Sequence, residues 1–507
     1  MKKTIIIKNS ISGIIQVILT AVLAFASVPI FINHLGIELY GVFALLSIVG
    51  NLNSLANFGL NGALVVYISK QGKGHQSNND IIATLIFMTS VIIFIATFTI
   101  IFRSNILKGI FSIPEKYFSE ATKLFVMLVL SNSILLLGQT ATAVLDACQK
   151  IFINNISQFF YSFLYWGGII LVVLSGGGLY QIGILILFSA TIWFFIVYFF
   201  AYKEWGSFNL KDSIVSFLPS LKKQIAYGSK IYFSGLISFL FEPLSKILLS
   251  NYIDLKAVGL FEIGYKIKSQ TNGLIAKSLY PLFPFIAANM PTTDFKLKLY
   301  DLSKKIQLFV VVISVIFLFC MPFLMKSWLG NSYTKEATIF VIVMTVSMLL
   351  FSPSKIPIYQ YLLANNLAGR TFYIQLTSVF LNIIFFFIFL KEAGAFSILI
   401  SNSIAFLGSF ILCNYYQFKF FNIKLSVLIR DEILMASFFL ISSFSGYLIF
   451  RIKPIGITDL LIYPSLTYFF LLIFLRTFRL FSKHDSNYYF GSFGRFEPFI
   501  RKILWIK

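Results

Sequence analysis

The chain has 507 residues, 58% hydrophobic and 12% charged, with a formal net charge of +22 and a mean hydropathy of +0.86. Such a composition excludes a soluble enzyme. It also excludes a nucleic-acid-binding protein, because no polar folded region exists to display a basic patch. What remains is an all-α polytopic membrane protein whose positive charge mostly sets topology.

The opening MKKTIIIKNS followed by an apolar run imitates a signal peptide, and Ala24, Phe25 and Ala26 resemble a cleavage triplet. The apolar run continues to Ile32, a length that predicts a retained first helix. Apolar stretches of spanning length then lie near residues 10 to 33, 40 to 68, 81 to 102, 120 to 145, 154 to 175, 179 to 202 and 224 to 251. The series continues near 257 to 290, 304 to 328, 337 to 362, 371 to 390, 394 to 418, 432 to 450 and 455 to 475. These are 14 transmembrane helices, an even number, so both termini face one side. Lys and Arg concentrate in the loops of that side, which predicts cytoplasmic termini.

Adding 218 to the span starts 10, 81, 120, 154 and 179 gives 228, 299, 338, 372 and 397, close to the later starts 224, 304, 337, 371 and 394. At the same offset Tyr40, Gly41, Val42 and Phe43 fall on Val258, Gly259, Leu260 and Phe261. The spacing predicts two six-helix bundles related by a parallel pseudo-repeat, residues 1–203 and 224–418. Two appended helices follow over 432–475, and then a basic aromatic cytoplasmic tail over 476–507. That tail carries seven Lys or Arg among Tyr488, Tyr489, Phe490, Phe493, Phe496, Phe499 and Trp505, a pattern suited to the inner leaflet and its membrane lipids.

Every loop is short. The longest run from Lys203 to Lys223 and from Arg103 to Ser119, too little to fold as a domain, which argues against a membrane-bound glycosyltransferase or polymerase. Cys148, Cys320 and Cys413 are widely separated, and His34, His75 and His484 lie singly. Neither set has metal-ligand spacing, and no catalytic dyad or cofactor motif is present, so the reading is a transporter and not an enzyme.

The candidate site residues are polar groups where a span should reject them. In the second span Asn53, Asn57 and Asn61 recur every four residues, suited either to sugar hydroxyls or to helix-to-helix amide bonds. In the seventh, Glu242 and Lys246 stand four apart beside Pro243, as a static ion pair or as a titratable group whose protonation frees the lysine. In the eighth, Glu262, Lys266, Gln270, Gly273 and Lys277 share one face within about 80° at 100° per residue, while Lys268 points elsewhere. A cationic lining implies an anionic cargo such as a phosphate. The alternative is that Glu262 and Lys266 neutralise each other while Lys277 snorkels. In the tenth span SPSKIP, residues 352 to 357, sets Lys355 between Pro353 and Pro357, where helical hydrogen bonding breaks.

The segment from Asn9 to Leu64 carries Pro29 late in the first helix, Leu35, Gly36, Tyr40 and Gly41 opening the second, and Asn57, Phe58, Gly59 and Leu60 toward its end. It resembles the polysaccharide-transporter flippases of the multidrug/oligosaccharidyl-lipid/polysaccharide exporter superfamily, which include the O-antigen flippases. The resemblance implies a V-shaped fold and a multi-pass protein of the bacterial cytoplasmic (inner) membrane. It implies passage of undecaprenyl-diphosphate-linked oligosaccharide from inner to outer leaflet, and a polymerase of the same pathway as partner. A proton gradient, a sodium gradient or the membrane potential would drive the cycle. The family often has Asp where this chain has Asn57 and Arg where it has Val66. The positive lining is therefore expected from Lys246, Lys266, Lys277 and Lys355, with Glu242 and Glu262 in coupling or ion pairing. Asn53, Asn57, Asn61 and Gln270 are the expected glycan contacts. A drug/cation antiporter of the same superfamily is the alternative, and would be expected to place unpaired acids in the cavity.

Overall fold

A computed structural model describes residues 3–49, 59–206, 217–279, 292–365 and 367–452, with 282, 286 and 465. Among these residues the structure is helical and contains no strand. The helices are α1 Lys3–Leu35, α2 Ile37–Leu46, α3 Leu60–Gln71, α4 His75–Ile101, α5 Glu115–Ala147, α6 Ile151–Leu174 and α7 Leu179–Trp205. After these come α8 Phe217–Tyr252, α9 Leu255–Leu279, α10 Thr293–Leu329, α11 Lys335–Phe351, α12 Ile356–Ala364, α13 Ala368–Ala393, α14 Ser397–Phe421 and α15 Leu425–Ile452. Eight helical stretches among the described residues are long and apolar enough to cross a membrane. The protein is thus a multi-pass membrane protein, and the expected fourteenth span, with the tail, lies outside the described residues.

In the second expected span α2 ends at Leu46 and α3 begins after Gly59, whose φ of 71° favours glycine; residues 50–58 lie outside the described residues. The tenth breaks where its two prolines predict: α11 ends at Phe351, Pro353–Lys355 form a tight turn, and α12 resumes at Ile356.

The duplication is written in the helix starts. Adding 218 to residues 37, 75, 115, 151 and 179 gives 255, 293, 333, 369 and 397, against observed starts at 255, 293, 335, 368 and 397. Five helix starts thus recur at this offset to within two residues, the spacing expected of a repeat.

Packing divides the chain into two compact units, Met1–Ile263 with Asn382–Ile398, and Gly264–Leu381 with Leu399–Lys507. In the first, Leu64 and Ile68 of α3, Ile81 of α4 and Val144 of α5 close on Trp205, while Leu145 of α5 meets Trp193 and Val197 of α7. Leu308 and Val311 of α10 pack on Met435 and Phe438 of α15 in the second. Outward-facing apolar side chains such as Phe94, 72% exposed, and Phe195, Phe199 and Phe380 are what lipid-facing helices present. Apolar contact with lipid gives no drive to associate, so polar contacts between helices matter more here than in a soluble core.

One such contact anchors the start of α8. Asp80 of α4 is fully buried and lies 3.1 Å from Lys223 Nζ, which also sits 3.9 Å from the centre of the Tyr67 ring. Gln224 donates to the Asp80 carbonyl at 3.0 Å and accepts from Thr84 Oγ1 at 2.7 Å. The link ties α8, the first helix of the second repeat, to α3 and α4 of the first.

Candidate functional site

Lys246 on α8 is buried to 3% side-chain exposure. Its Nζ lies 2.6 Å from Glu242 Oε1, one turn earlier on the same helix, and 2.7 Å from Glu262 Oε2 on α9. It also donates to the Ala44 carbonyl of α2 at 3.4 Å. An ammonium at membrane depth is tolerated when counter-charges replace water, and here two carboxylates do so at contact distance. The four-residue spacing on α8 predicts the Glu242 contact. The Glu262 contact joins two helices, and spacing along either one could not reveal it. Asn382 adds a further buried link, donating to Ser245 Oγ at 3.0 Å beside Lys246.

On α9 the residues at 262, 266, 270, 273 and 277 fall on one face, as the 3.6-residue period requires. Lys266 and Gln270 are half-buried on that face, and Lys277 continues it at helical spacing, its side chain lying outside the described positions. Lys268 is buried among aromatic rings, 5.0 Å from the centre of Tyr265 and 5.4 Å from that of Phe406. Both ring faces stand against its charge.

Lys355, in the turn between α11 and α12, is 5% exposed. Its Nζ donates to Asn414 Oδ1 at 2.7 Å and to Glu432 Oε1 at 2.9 Å, and stands 4.2 Å from the centre of the Phe410 ring. Asn414 completes the triangle by donating to Glu432 at 3.1 Å, and Gln307 of α10 donates to the other carboxylate oxygen. The adjacent Asp431 accepts from the Tyr300 hydroxyl at 2.9 Å and pairs with Lys304 at 3.4 Å. Two consecutive acids on α15 thus take charges from α10 and from the broken helix. Sequence reasoning passed over Asp431, Glu432 and Asn414 because the Tyr300 and Lys355 that they meet lie 59 to 131 residues away. The available signal was two acids opening an otherwise apolar span.

Lys355→Ala and Glu432→Ala are each expected to lower the thermal unfolding temperature of the purified protein, and the double variant is expected to cost less than the two single effects added. Unchanged melting in both single variants, with transport lost only in Lys355→Ala, would instead give this lysine to cargo.

Asn61 donates to Gln139 Oε1 of α5 at 3.0 Å, one of the two roles its pattern allows. Asn53 and Asn57 lie outside the described residues. Among the described residues no group of His, Cys, Asp and Glu could hold a metal ion.

A family model described as a polysaccharide biosynthesis protein matches residues 6–290. Among solved structures, the lipid II flippase MurJ in an inward closed conformation aligns over 93% of this chain and 98% of its own, with 17% identity and a TM-score of 0.72. A multidrug resistance MATE family transporter of the MOP superfamily, inward-facing, aligns over 82% and 99%, with 12% identity and a TM-score of 0.61. A mutant of the Vibrio cholerae MATE transporter VcmN aligns over 81% and 97%, with 14% identity and a TM-score of 0.51. Identities this low establish a shared fold. No curated protein matches the chain by sequence.

Proposed function

We infer the function of a chain that belongs to the polysaccharide biosynthesis protein family, matched over residues 6–290: it is a flippase for polyprenyl-diphosphate-linked oligosaccharide. The cargo passes from the cytoplasmic to the outer leaflet of the cytoplasmic membrane, with both termini in the cytoplasm, and serves surface polysaccharide assembly such as O-antigen or capsule. The observation that carries this reading is the face of α9 bearing Lys266, Gln270 and Lys277 in a fold shared with a lipid II flippase. A diphosphate offers several anionic oxygens to ammonium donors, and charge-assisted contacts of that kind are the strong ones. Gln270 and the asparagines Asn53, Asn57 and Asn61 offer neutral hydrogen bonds to a glycan. Lys246 and Lys355, each already facing a carboxylate, are assigned to holding helices rather than cargo.

Transport follows by alternating access: the diphosphate enters the cationic cavity, the polyprenyl tail stays in the bilayer, and the path closes on one side before it opens on the other. No bond is made or broken, so the reading needs no catalytic group. The test is reconstitution. Proteoliposomes containing the full chain should move fluorescently labelled polyprenyl-diphosphate oligosaccharide across the bilayer faster than protein-free vesicles, and dissipating proton gradient, sodium gradient and potential in turn identifies the driving force. Efflux of a cationic dye without movement of the lipid-linked glycan would favour the drug/cation antiporter instead; one similar structure is described as a multidrug resistance transporter.

A further inference from the structure

The two glycines that mark the duplicated helix starts meet each other in the fold. A Cβ built on Gly41 of α2 would stand 2.0 Å from the Leu255 carbonyl oxygen and 3.2 Å from the Gly259 nitrogen. A Cβ built on Gly259 of α9 would stand 2.7 Å from the Ile37 carbonyl oxygen. The pattern is reciprocal: Gly41 and Gly259 are equivalent at the 218-residue offset, and so are Ile37 and Leu255, the first residues of the two helices. Each glycine therefore receives the backbone of the other repeat's helix start, a contact only a residue without a side chain permits.

The surroundings are buried, and charged at one point. Tyr40, Val42, Phe43, Val258 and Phe261 are all buried, and Phe31 of α1 lies 5.3 Å, ring centre to ring centre, from both Tyr40 and Phe43. Lys246, held by Glu242 and Glu262, reaches across to the Ala44 carbonyl one turn below Gly41. At the mouth, Glu38 accepts from Lys116 Nζ and the Tyr117 hydroxyl, each at 2.6 Å, which fixes α2 to α5. The Lys116 ammonium and then the Tyr117 hydroxyl hold the Glu38 carboxyl below its ordinary range.

We propose that the Gly41–Gly259 crossing, latched by Lys246 on the Ala44 carbonyl, is the closure that seals the translocation path at the membrane face opposite the chain termini. This rests on the flippase reading for the path, but not for the crossing itself. The helices must part there for cargo to leave, which releases the Lys246 hydrogen bond on the Ala44 carbonyl and the two backbone contacts, while the pairing of Lys246 with Glu242 and Glu262 that joins α8 to α9 stays whole. A closure that leaves this buried ion cluster intact avoids separating its charges in the low-dielectric interior.

The experiment places a cysteine at Ile48, about 10 Å deeper along the second span than Gly41 at 1.5 Å per residue, and measures labelling by a membrane-impermeant maleimide added to the face opposite the termini. Rates are read above the parent with its three native cysteines. Gly41→Ala and Gly259→Ala are each expected to raise the rate at Ile48→Cys at least about fivefold, since one methyl forces the same backbones apart. Because both act on one crossing, the double variant should exceed the stronger single variant only slightly. Gly62→Ala, where no atom lies within 4 Å of the added carbon, should leave the rate unchanged. Parent-like labelling in folded Gly41→Ala and Gly259→Ala overturns the proposal. Should the glycine variants not fold, a cross-linker joining Ile37→Cys to Leu255→Cys is expected to stop transport of labelled lipid-linked oligosaccharide, and undiminished transport after cross-linking overturns it. A parent that moves no lipid-linked glycan at all while the labelling pattern holds would sink the flippase reading and leave the closure standing.

Discussion

Lys266→Ala combined with Lys277→Ala is expected to lower translocation of labelled polyprenyl-diphosphate oligosaccharide by about a hundredfold or more, with little change in thermal unfolding. Hydrogen bonds to charged groups contribute about 1.5–3 kcal/mol each, so losing two from the transport complex removes about 3–6 kcal/mol, and each 1.4 kcal/mol is a factor of ten. The single variants should each lose part of that effect. Their product need not match the double variant, because the two ammonium groups share one diphosphate. Lys268→Ala supplies the contrast: its charge faces the Tyr265 and Phe406 rings, so its loss should weaken packing and leave cargo transfer near the parent level. Undiminished transfer by the double variant would remove α9 from the cargo site. A fall in unfolding temperature of several degrees would show instead that the lysines hold the helix in place.

The helices were largely legible because a membrane span announces itself through length and apolarity, and the duplication because helix spacing survives where side chains do not. The reciprocal contact of Gly41 and Gly259 shows the reach of that reading, since the 218-residue offset pairs the same two glycines. Charge pairing was only half legible. Four-residue spacing predicts Glu242 with Lys246, as observed, and also offers Glu262 to Lys266, while the fold brings Glu262 to 2.7 Å from Lys246 on the neighbouring helix. Nothing in a single helix's periodicity says which neighbour lies against it. Lys355 makes the same point at longer range: the proline break around it was visible in the sequence, whereas Glu432, 77 residues on, was not. In a bilayer such distant polar partners are chosen by helix packing, which one sequence does not encode as a local pattern.

Lys246→Met is expected to destabilise the protein by about 3–5 kcal/mol, the usual cost of removing one partner from a buried ion pair. The magnitude follows from what is left behind. Glu242 and Glu262 are each 13% exposed and both lie within 2.7 Å of the vanished ammonium, so two carboxylates would share a desolvated pocket without the cation between them. Like charges so placed repel each other with little solvent to screen them. Neutralising the acids as well, with Lys246→Met, Glu242→Gln and Glu262→Gln together, should recover most of the loss, since replacing an entire buried ion cluster by uncharged groups of similar size is often neutral or stabilising. Thermal unfolding of the purified variants measures each step. A Lys246→Met protein as stable as the parent would mean that the three charges are not coupled as the distances imply. If the triple variant folds but no longer flips lipid-linked oligosaccharide, the cluster is needed for the transport cycle and not only for the architecture of α8 and α9. If it flips at the parent rate, the ion cluster is there to hold two helices together where lipid gives them no reason to associate.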